Sequence, residues 1–119
     1  MKYLMLIKHS ESYRGDPIPQ ALMDAMGEFV TQSFKSGVLK DTGGLKPTAE
    51  GFRVRSSKNR LTVTDGPFTE AREIVGGYAM IEVATKEEAL KMARDFMELH
   101  RLHWPAFEGE CEVRPLEDM

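Results

Sequence analysis

Residues 74–83, IVGGYAMIEV, form the longest strand candidate of the chain, and residues 85–88, TKEE, follow with the pattern of a helix capping box. Gly76 and Gly77 near the start of the strand predict a bulge or a close approach to the backbone. Behind the capping box, one helical face continues to about His103, and Trp104-Pro105 ends the helix. That face consists of Ala89, Ala93, Phe96, Met97 and His100.

The same order of strand and helix opens the chain. Residues 3–7, YLMLI, are continuously apolar, which is typical of a strand buried on both faces. Residues 10–19 are polar and rich in proline and glycine, so they predict a loop. A helix over residues 19–36, with Gly37 as its C-cap, is then predicted from apolar positions at helical spacing, namely Leu22, Met26, Phe29, Val30 and Phe34.

The middle of the chain predicts short strands. Residues 38–47 contain one with an irregular course, residues 52–55 and 61–64 alternate as the two strands of a hairpin, and residues 112–114 form a last strand. The order is strand, helix, strand, inserted hairpin, strand, helix, strand. It predicts an α+β fold: a ferredoxin-like sandwich with an inserted β-hairpin, in which both helices cover one face of an antiparallel sheet.

The first strand is apolar on both of its faces. Tyr3, Met5 and Ile7 point to one side, and Leu4 and Leu6 point to the other. Because the helices can cover only one face of the sheet, the other face is expected to meet a second copy. The chain is therefore predicted to form a homodimer, with closure of the two sheets on each other as one arrangement.

Length and composition predict a single domain over residues 1–119. The net charge of −3, without a basic stripe, argues against a nucleic-acid partner. One cysteine cannot form an internal disulfide, which favours a reducing cytoplasm. The apolar runs are too short for a secretory signal or a membrane-spanning helix, so no membrane partner is expected.

Four segments carry a family resemblance. Residues 1–7 (MKYLMLI), 63–68 (VTDGPF), 76–78 (GGY) and 112–115 (EVRP) resemble the DGPF-domain branch of the YCII-related family. The resemblance runs over nearly the whole chain. It implies a dimeric α/β-barrel built on the ferredoxin-like unit, and it implies no particular reaction.

Only one site residue of the family has a counterpart in a matching motif of this chain. A His-Asp pair has been suggested as catalytic in YCII-like proteins, with the histidine in the first helix, where this chain has none. Only Asp65 therefore stands in a matching motif.

The predicted topology brings several polar groups to one pole. The end of the first strand lies beside the start of the strand that follows the DGPF motif, and the second helix runs back to the same pole. The predicted cleft holds Lys8, His9, Asp65, His100, His103 and Glu108, with Tyr78 and Trp104 as apolar walls. A carboxylate beside an imidazole suits general acid–base chemistry, and apolar walls with convergent polar groups suit a small molecule.

These positions suggest roles. Asp65 is the predicted base or orienting group, and His9 or His103 is its catalytic partner. The predicted substrate-binding residues are Lys8, which would attract an anion, together with Tyr78, His100 and Trp104. The chain would then be a small enzyme that performs acid–base chemistry without a cofactor, such as an isomerisation or elimination, on a small organic acid. The alternatives are a non-catalytic module for ligand binding or regulation, and a dimer whose polar pole is only structural.

The same residues also have purely structural interpretations. Asp65 can accept hydrogen bonds within its turn, and His100 fits a hydrogen-bonded core position. His100 and His103 share a helical face, but no third ligand is fixed, so no metal site is predicted. The thiol of Cys111 has two neighbouring glutamates that would raise its pKa, so a nucleophilic role is not expected.

Overall fold

The computed structural model describes residues 1–11 and 17–118. The predicted loop over residues 10–19 therefore lies partly outside the described residues. The regular elements are β1 (Lys2–His9), α1 (Gln20–Lys35), β2 (Leu39–Gly44), β3 (Phe52–Ser57), β4 (Arg60–Asp65), β5 (Ile74–Glu82), α2 (Lys86–His103) and β6 (Gly109–Pro115).

The main sheet has the strand order β2-β5-β1-β6, and each neighbouring pair is antiparallel. This is the strand order of a ferredoxin-like unit. Strands β3 and β4 form a separate two-stranded sheet inserted between β2 and β5. The predicted α+β fold with an inserted hairpin is confirmed for the single chain. Closure of two chains into a dimeric α/β-barrel stays a prediction.

Both helices pack on one face of the main sheet. Tyr3 and Met5 are buried there against Ala89 and Ala93 of α2, and Val30 of α1 packs against the same cluster. The remaining core members of this cluster are Leu39, Ile81 and Val83. Because side chains alternate along a strand, the even-numbered residues of β1 lie on the face away from the helices.

Local sequence signals explain where α2 begins. Thr85 is its N-cap, and the side-chain oxygen accepts a hydrogen bond of 3.2 Å from the backbone N–H of Glu88. The carboxylate of Glu88 in turn accepts a bond of 3.0 Å from the N–H of Ala84. This reciprocal pair satisfies donors that a helix start leaves without a partner, as the capping box predicts.

The two glycines of β5 form the predicted bulge. Ile7 pairs with Gly77, whereas the next residue, Lys8, pairs with Val75, so Gly76 is the extra residue of β5. A Cβ atom at position 76 would lie 2.1 Å from Nε2 of His9, which is far closer than atoms can approach. A side chain at this position would therefore displace the His9 ring, which packs against the backbone of Gly76.

The inserted hairpin turns through Lys58 and Asn59, whose φ angles of 52° and 62° are those of a two-residue type I′ turn.

The last strand is longer than predicted, because β6 pairs with β1 from Pro115 back to Gly109. Among the described residues, no helix is long and apolar enough to cross a membrane.

Candidate functional site

A cavity of about 360 Å³ lies between the main sheet and the two helices. Its walls are mostly apolar, and none of the described residues that line it is a lysine, arginine, aspartate or glutamate. The main apolar contributions come from Met5, Ile7, Leu22, Phe29, Phe96 and Phe107. The cavity therefore suits a small molecule that is mainly apolar.

His9, the last residue of β1, is buried and lines this cavity. Its Nδ1 lies 2.8 Å from the carbonyl oxygen of Ser10, so Nδ1 donates a hydrogen bond there. In the neutral ring, Nε2 is then the acceptor. His9 also borders a second, polar cleft of about 470 Å³. The imidazole therefore stands between an apolar interior and a polar cleft.

His100 lies in the last turns of α2, where it is buried and lines the same cavity. Its Nδ1 donates to the carbonyl oxygen of Phe96 at 3.1 Å. Burial lowers the pKa of His100 below the ordinary 6.5, the bond to Phe96 opposes this change, and the nearby charge of His9 adds to it. The ring is therefore neutral at neutral pH.

Trp104 follows α2 and lines the cavity with the two imidazoles. Phe107 joins the three rings, because its ring centroid lies 6.0 Å from that of His9, 4.9 Å from that of His100 and 5.3 Å from that of Trp104. Phe107 was not among the site residues predicted from the sequence. The sequence offered one signal for it: Phe107 lies three residues after Trp104, in the segment that joins the predicted second helix to the last strand.

Lys8 points away from this cavity. It lies on the sheet face opposite the helices, and its Nζ contacts the carboxylates of Glu112 at 3.1 Å and Glu110 at 3.4 Å. The hydrogen bonds to Glu112 and Glu110 raise the pKa of Lys8. The structure therefore does not bring the predicted anion-attracting charge to the cavity.

Tyr78 is among the residues that line the cavity, but its hydroxyl group points elsewhere. The hydroxyl donates a bond of 3.1 Å to Asp41, and Tyr78 pairs with Leu6, which places its ring on the sheet face away from the helices. The bond to Asp41 raises the pKa of Tyr78.

Asp65 and His103 are not among the described residues that line the cavity. Asp65 is the exposed last residue of β4 and pairs with Phe52, and His103 is the half-buried last residue of α2. The structure thus brings His9, His100 and Trp104 together around one cavity. The catalytic pairing of Asp65 with His9 or His103 stays a prediction.

The DGPF motif itself anchors the hairpin. The N–H of Gly66 donates to the carbonyl oxygen of Gly51 at 2.9 Å, and the N–H of Phe68 donates to Oγ1 of Thr48 at 3.2 Å. Thr48 in turn donates through its backbone and its hydroxyl to the carboxylate of Glu11. These bonds join the base of the hairpin to the segment that follows β1.

Cys111 packs against the core on β6. Burial raises the pKa of its thiol to about 11, so the thiol stays protonated and is a poor nucleophile at neutral pH. The expected direction is confirmed, but the cause is burial rather than the neighbouring glutamates. No group of three or more histidine, cysteine, aspartate or glutamate residues is placed to hold a metal ion in the described part of the chain.

Comparison with known proteins gives two findings. The family model of the YCII-related domain matches residues 1–98. An uncharacterized protein of Rhizobium meliloti (strain 1021) is 37% identical over 82 residues, which are 69% of this chain and 62% of that protein. The chain therefore spans less than two thirds of the length of this relative.

Proposed function

The chain belongs to the family of YCII-related domains, and we propose that its function is to bind a small, mostly apolar organic molecule in the cavity lined by His9, His100 and Trp104. One observation carries this proposal: a cavity of about 360 Å³ has apolar walls and two imidazoles on its lining. Ligand pockets usually measure about 300–1,000 Å³, so a molecule of one or two rings is the expected size.

The charges around the cavity favour a neutral ligand. Burying a carboxylate without a positive partner is costly, and the described lining residues include neither lysine nor arginine. Lys8, the cation predicted to hold an organic acid, is ion-paired on the other face of the sheet. We therefore expect a neutral molecule whose single polar group exchanges a hydrogen bond with His9 or His100.

Acid–base chemistry is the second candidate function. It is supported by the lowered pKa of His100, because a neutral imidazole in an apolar cavity can accept a proton from a bound molecule. The nearby imidazole of His9 would be the second proton-transfer group. Asp65 retains its predicted role as base or orienting group only if its carboxylate affects the titration of one of these two imidazoles.

Two further proposals concern the family branch and location. The VTDGPF and GGY segments support membership of the DGPF-domain branch. The single cysteine supports a cytoplasmic location, because a reducing compartment suits a chain that cannot close an internal disulfide.

Trp104 provides a direct binding test, because it is the one tryptophan of the sequence and lines the cavity. The probes are 4-nitrobenzyl alcohol, which is neutral, and 4-nitrobenzoate, which is an anion of similar size; the nitro group of each quenches tryptophan fluorescence. We expect saturable quenching by the alcohol and affinity for the anion that is weaker by about tenfold or more. His100→Gln should weaken binding of the alcohol, whereas the matched control His103→Gln should not. Quenching that is linear, equal for both probes and unchanged by His100→Gln would contradict the proposal.

Acid–base chemistry needs a separate test, since binding alone does not demonstrate it. The three histidines of the chain can be titrated by NMR in the wild type and in Asp65→Asn. A histidine whose titration changes in the variant would support the predicted role of Asp65. Unchanged titrations would leave His9 and His100 as the candidate groups and exclude Asp65.

A further inference from the structure

The two imidazoles on the cavity lining have the same ring nitrogen bonded to a backbone carbonyl. Nδ1 of His9 donates to the carbonyl oxygen of Ser10 at 2.8 Å, and Nδ1 of His100 donates to that of Phe96 at 3.1 Å. A carbonyl oxygen can only accept a hydrogen bond, so Nδ1 carries the proton in both rings. Because a neutral imidazole has one N–H group, Nε2 of each ring is a hydrogen-bond acceptor.

The two acceptor nitrogens differ in their surroundings. Nε2 of His9 packs against the backbone of Gly76. Nε2 of His100 has no hydrogen-bond partner among the described residues, and it is not one of their fully enclosed polar atoms without a partner. Because the rest of His100 is buried and the residue lines the cavity, the open part of this nitrogen faces the cavity. A molecule in the cavity that supplies a donor would therefore satisfy it.

The ring of His100 is held in one orientation. Besides its bond to the carbonyl oxygen of Phe96, it packs against the ring of Phe96, with centroids 5.0 Å apart, and against that of Phe107, with centroids 4.9 Å apart. Burial lowers the pKa of His100 below 6.5, so Nε2 keeps its lone pair at neutral pH. The acceptor is thus already in place before a ligand binds, which reduces the cost of forming the bond.

The hydroxyl groups on the cavity lining donate within the protein. Thr42 and Tyr78 are the hydroxyl-bearing side chains among the described lining residues. Oγ1 of Thr42 donates to the carbonyl oxygen of Tyr78 at 2.8 Å, and the hydroxyl of Tyr78 donates to Asp41 at 3.1 Å. A ligand whose polar group only accepts hydrogen bonds therefore finds neither hydroxyl as a donor, and its oxygen would meet the lone pair of Nε2 of His100.

We propose that the ligand of this cavity is a neutral hydroxyl compound whose O–H group donates a hydrogen bond to Nε2 of His100. The proposal rests on the proposed function, since it requires that the cavity binds a small apolar molecule, and it adds which polar group that molecule carries. A cavity of about 360 Å³ suits an alcohol or a phenol of one or two rings. A ketone, ether or ester of the same shape binds more weakly, because it leaves the buried acceptor without a donor.

Two neutral probes with the same heavy-atom skeleton test this proposal. 1-(4-Nitrophenyl)ethanol carries a hydroxyl group, and 4-nitroacetophenone carries a carbonyl oxygen in the same place. The nitro group of each quenches the fluorescence of Trp104, which lines the cavity. We expect saturable quenching of the wild type by both probes, with the alcohol bound more tightly by about tenfold or more.

The ratio of the two affinities is then compared in two variants of α2. The glutamine amide offers both an acceptor and a donor, so the preference for the alcohol should fall to about twofold or less in His100→Gln. Arg101→Gln is the matched control, because Arg101 is exposed and is not among the described residues that line the cavity; it should keep the wild-type ratio. Both probes are measured on the same protein, so partial unfolding of a variant weakens both equally and leaves the ratio unchanged.

The outcomes separate this proposal from the function on which it rests. Saturable binding of both probes with equal affinity would overturn the preference for a hydroxyl compound and leave the proposed binding function intact. A preference that persists in His100→Gln would also overturn the proposal, and its loss in His9→Gln instead would assign the acceptor to His9. If neither probe quenches saturably, the proposed function fails and this proposal fails with it.

Discussion

The position of His9 depends on the absence of a side chain at Gly76. An alanine Cβ at this position would overlap Nε2 of His9, whereas a Cβ at Gly44, on the neighbouring strand, would meet no atom within 4 Å. Gly76→Ala should therefore displace the imidazole and lower the free energy of unfolding by about 1–3 kcal/mol, as overpacking usually does. Gly44→Ala is the matched control and should change it little. Chemical denaturation measures both.

The same glycine variant also reports on the cavity. Since His9 lines the cavity, its displacement should weaken binding of 4-nitrobenzyl alcohol in Gly76→Ala. Gly51→Ala is the control for binding, because Gly51 is not among the described residues that line the cavity and a Cβ there makes only an ordinary contact. Equal binding of the alcohol by Gly76→Ala and Gly51→Ala would show that the close packing of His9 on β5 is not present in solution.

His100 should make stability depend on pH. Burial lowers its pKa below 6.5 in the folded chain, so near and below this pH the unfolded chain binds more protons. The free energy of unfolding should therefore decrease as the pH falls through 6.5, and level off below the folded-state pKa. Denaturation at pH 7.5 and 5.5 measures the decrease, which should be smaller in His100→Gln and unchanged in His103→Gln. An equal decrease in all three proteins would contradict this assignment.

Single residues show how far the sequence determines the site. His100 was predictable because it continues the apolar face of its helix. Lys8 was assigned to the same cleft as His9, although adjacent residues of a strand point to opposite faces, and strand periodicity alone places its side chain on the other side of the sheet. The cavity was not predictable in shape, because its volume depends on the distances between packed elements.

At the scale of elements, the DGPF turn is fixed by a backbone contact. A Cβ at Gly66 would lie 1.7 Å from the carbonyl oxygen of Thr48, and a Cβ at Gly51 would lie 3.6 Å from the same atom, which is an ordinary contact. Because a backbone atom cannot move aside as a side chain can, Gly66→Ala should lower the free energy of unfolding by about 1–3 kcal/mol. Gly51→Ala should have a smaller effect. Hydrogen exchange at the base of the hairpin formed by β3 and β4 should become faster only in Gly66→Ala, and equal exchange in the two variants would refute the contact.

Elements were predictable where their signals are local. The capping box at Thr85 and the positive φ angle of 82° at Gly37 mark helix ends that residues near them determine. The start of β6 at Gly109 was missed because that strand is defined by its pairing with β1 rather than by its own pattern. The alternation of residues 52–55 and 61–64 predicted β3 and β4, but it could not show that the apolar side chains of these two strands are exposed.

For the whole molecule, the element order was sufficient to predict the ferredoxin-like topology, because few arrangements place both helices on one face of an antiparallel sheet. It was not sufficient to predict assembly. A strand with two apolar faces indicates that both faces are covered, but the chain itself covers only the face that contains Tyr3 and Met5.

The predicted homodimer can be tested with a residue of the sheet face away from the helices. Met80 lies on this face, opposite Leu4 in the strand pairing, and is half-buried. Met80→Lys should therefore place an unpaired charge in the interface and convert the dimer to a monomer. Leu90→Lys is the control, because Leu90 is an exposed apolar residue of α2 on the other side of the molecule. Light scattering coupled to size exclusion should give the mass of one chain for Met80→Lys and of two chains for Leu90→Lys and the wild type. Equal masses for all three proteins would show that this sheet face is not the dimer interface.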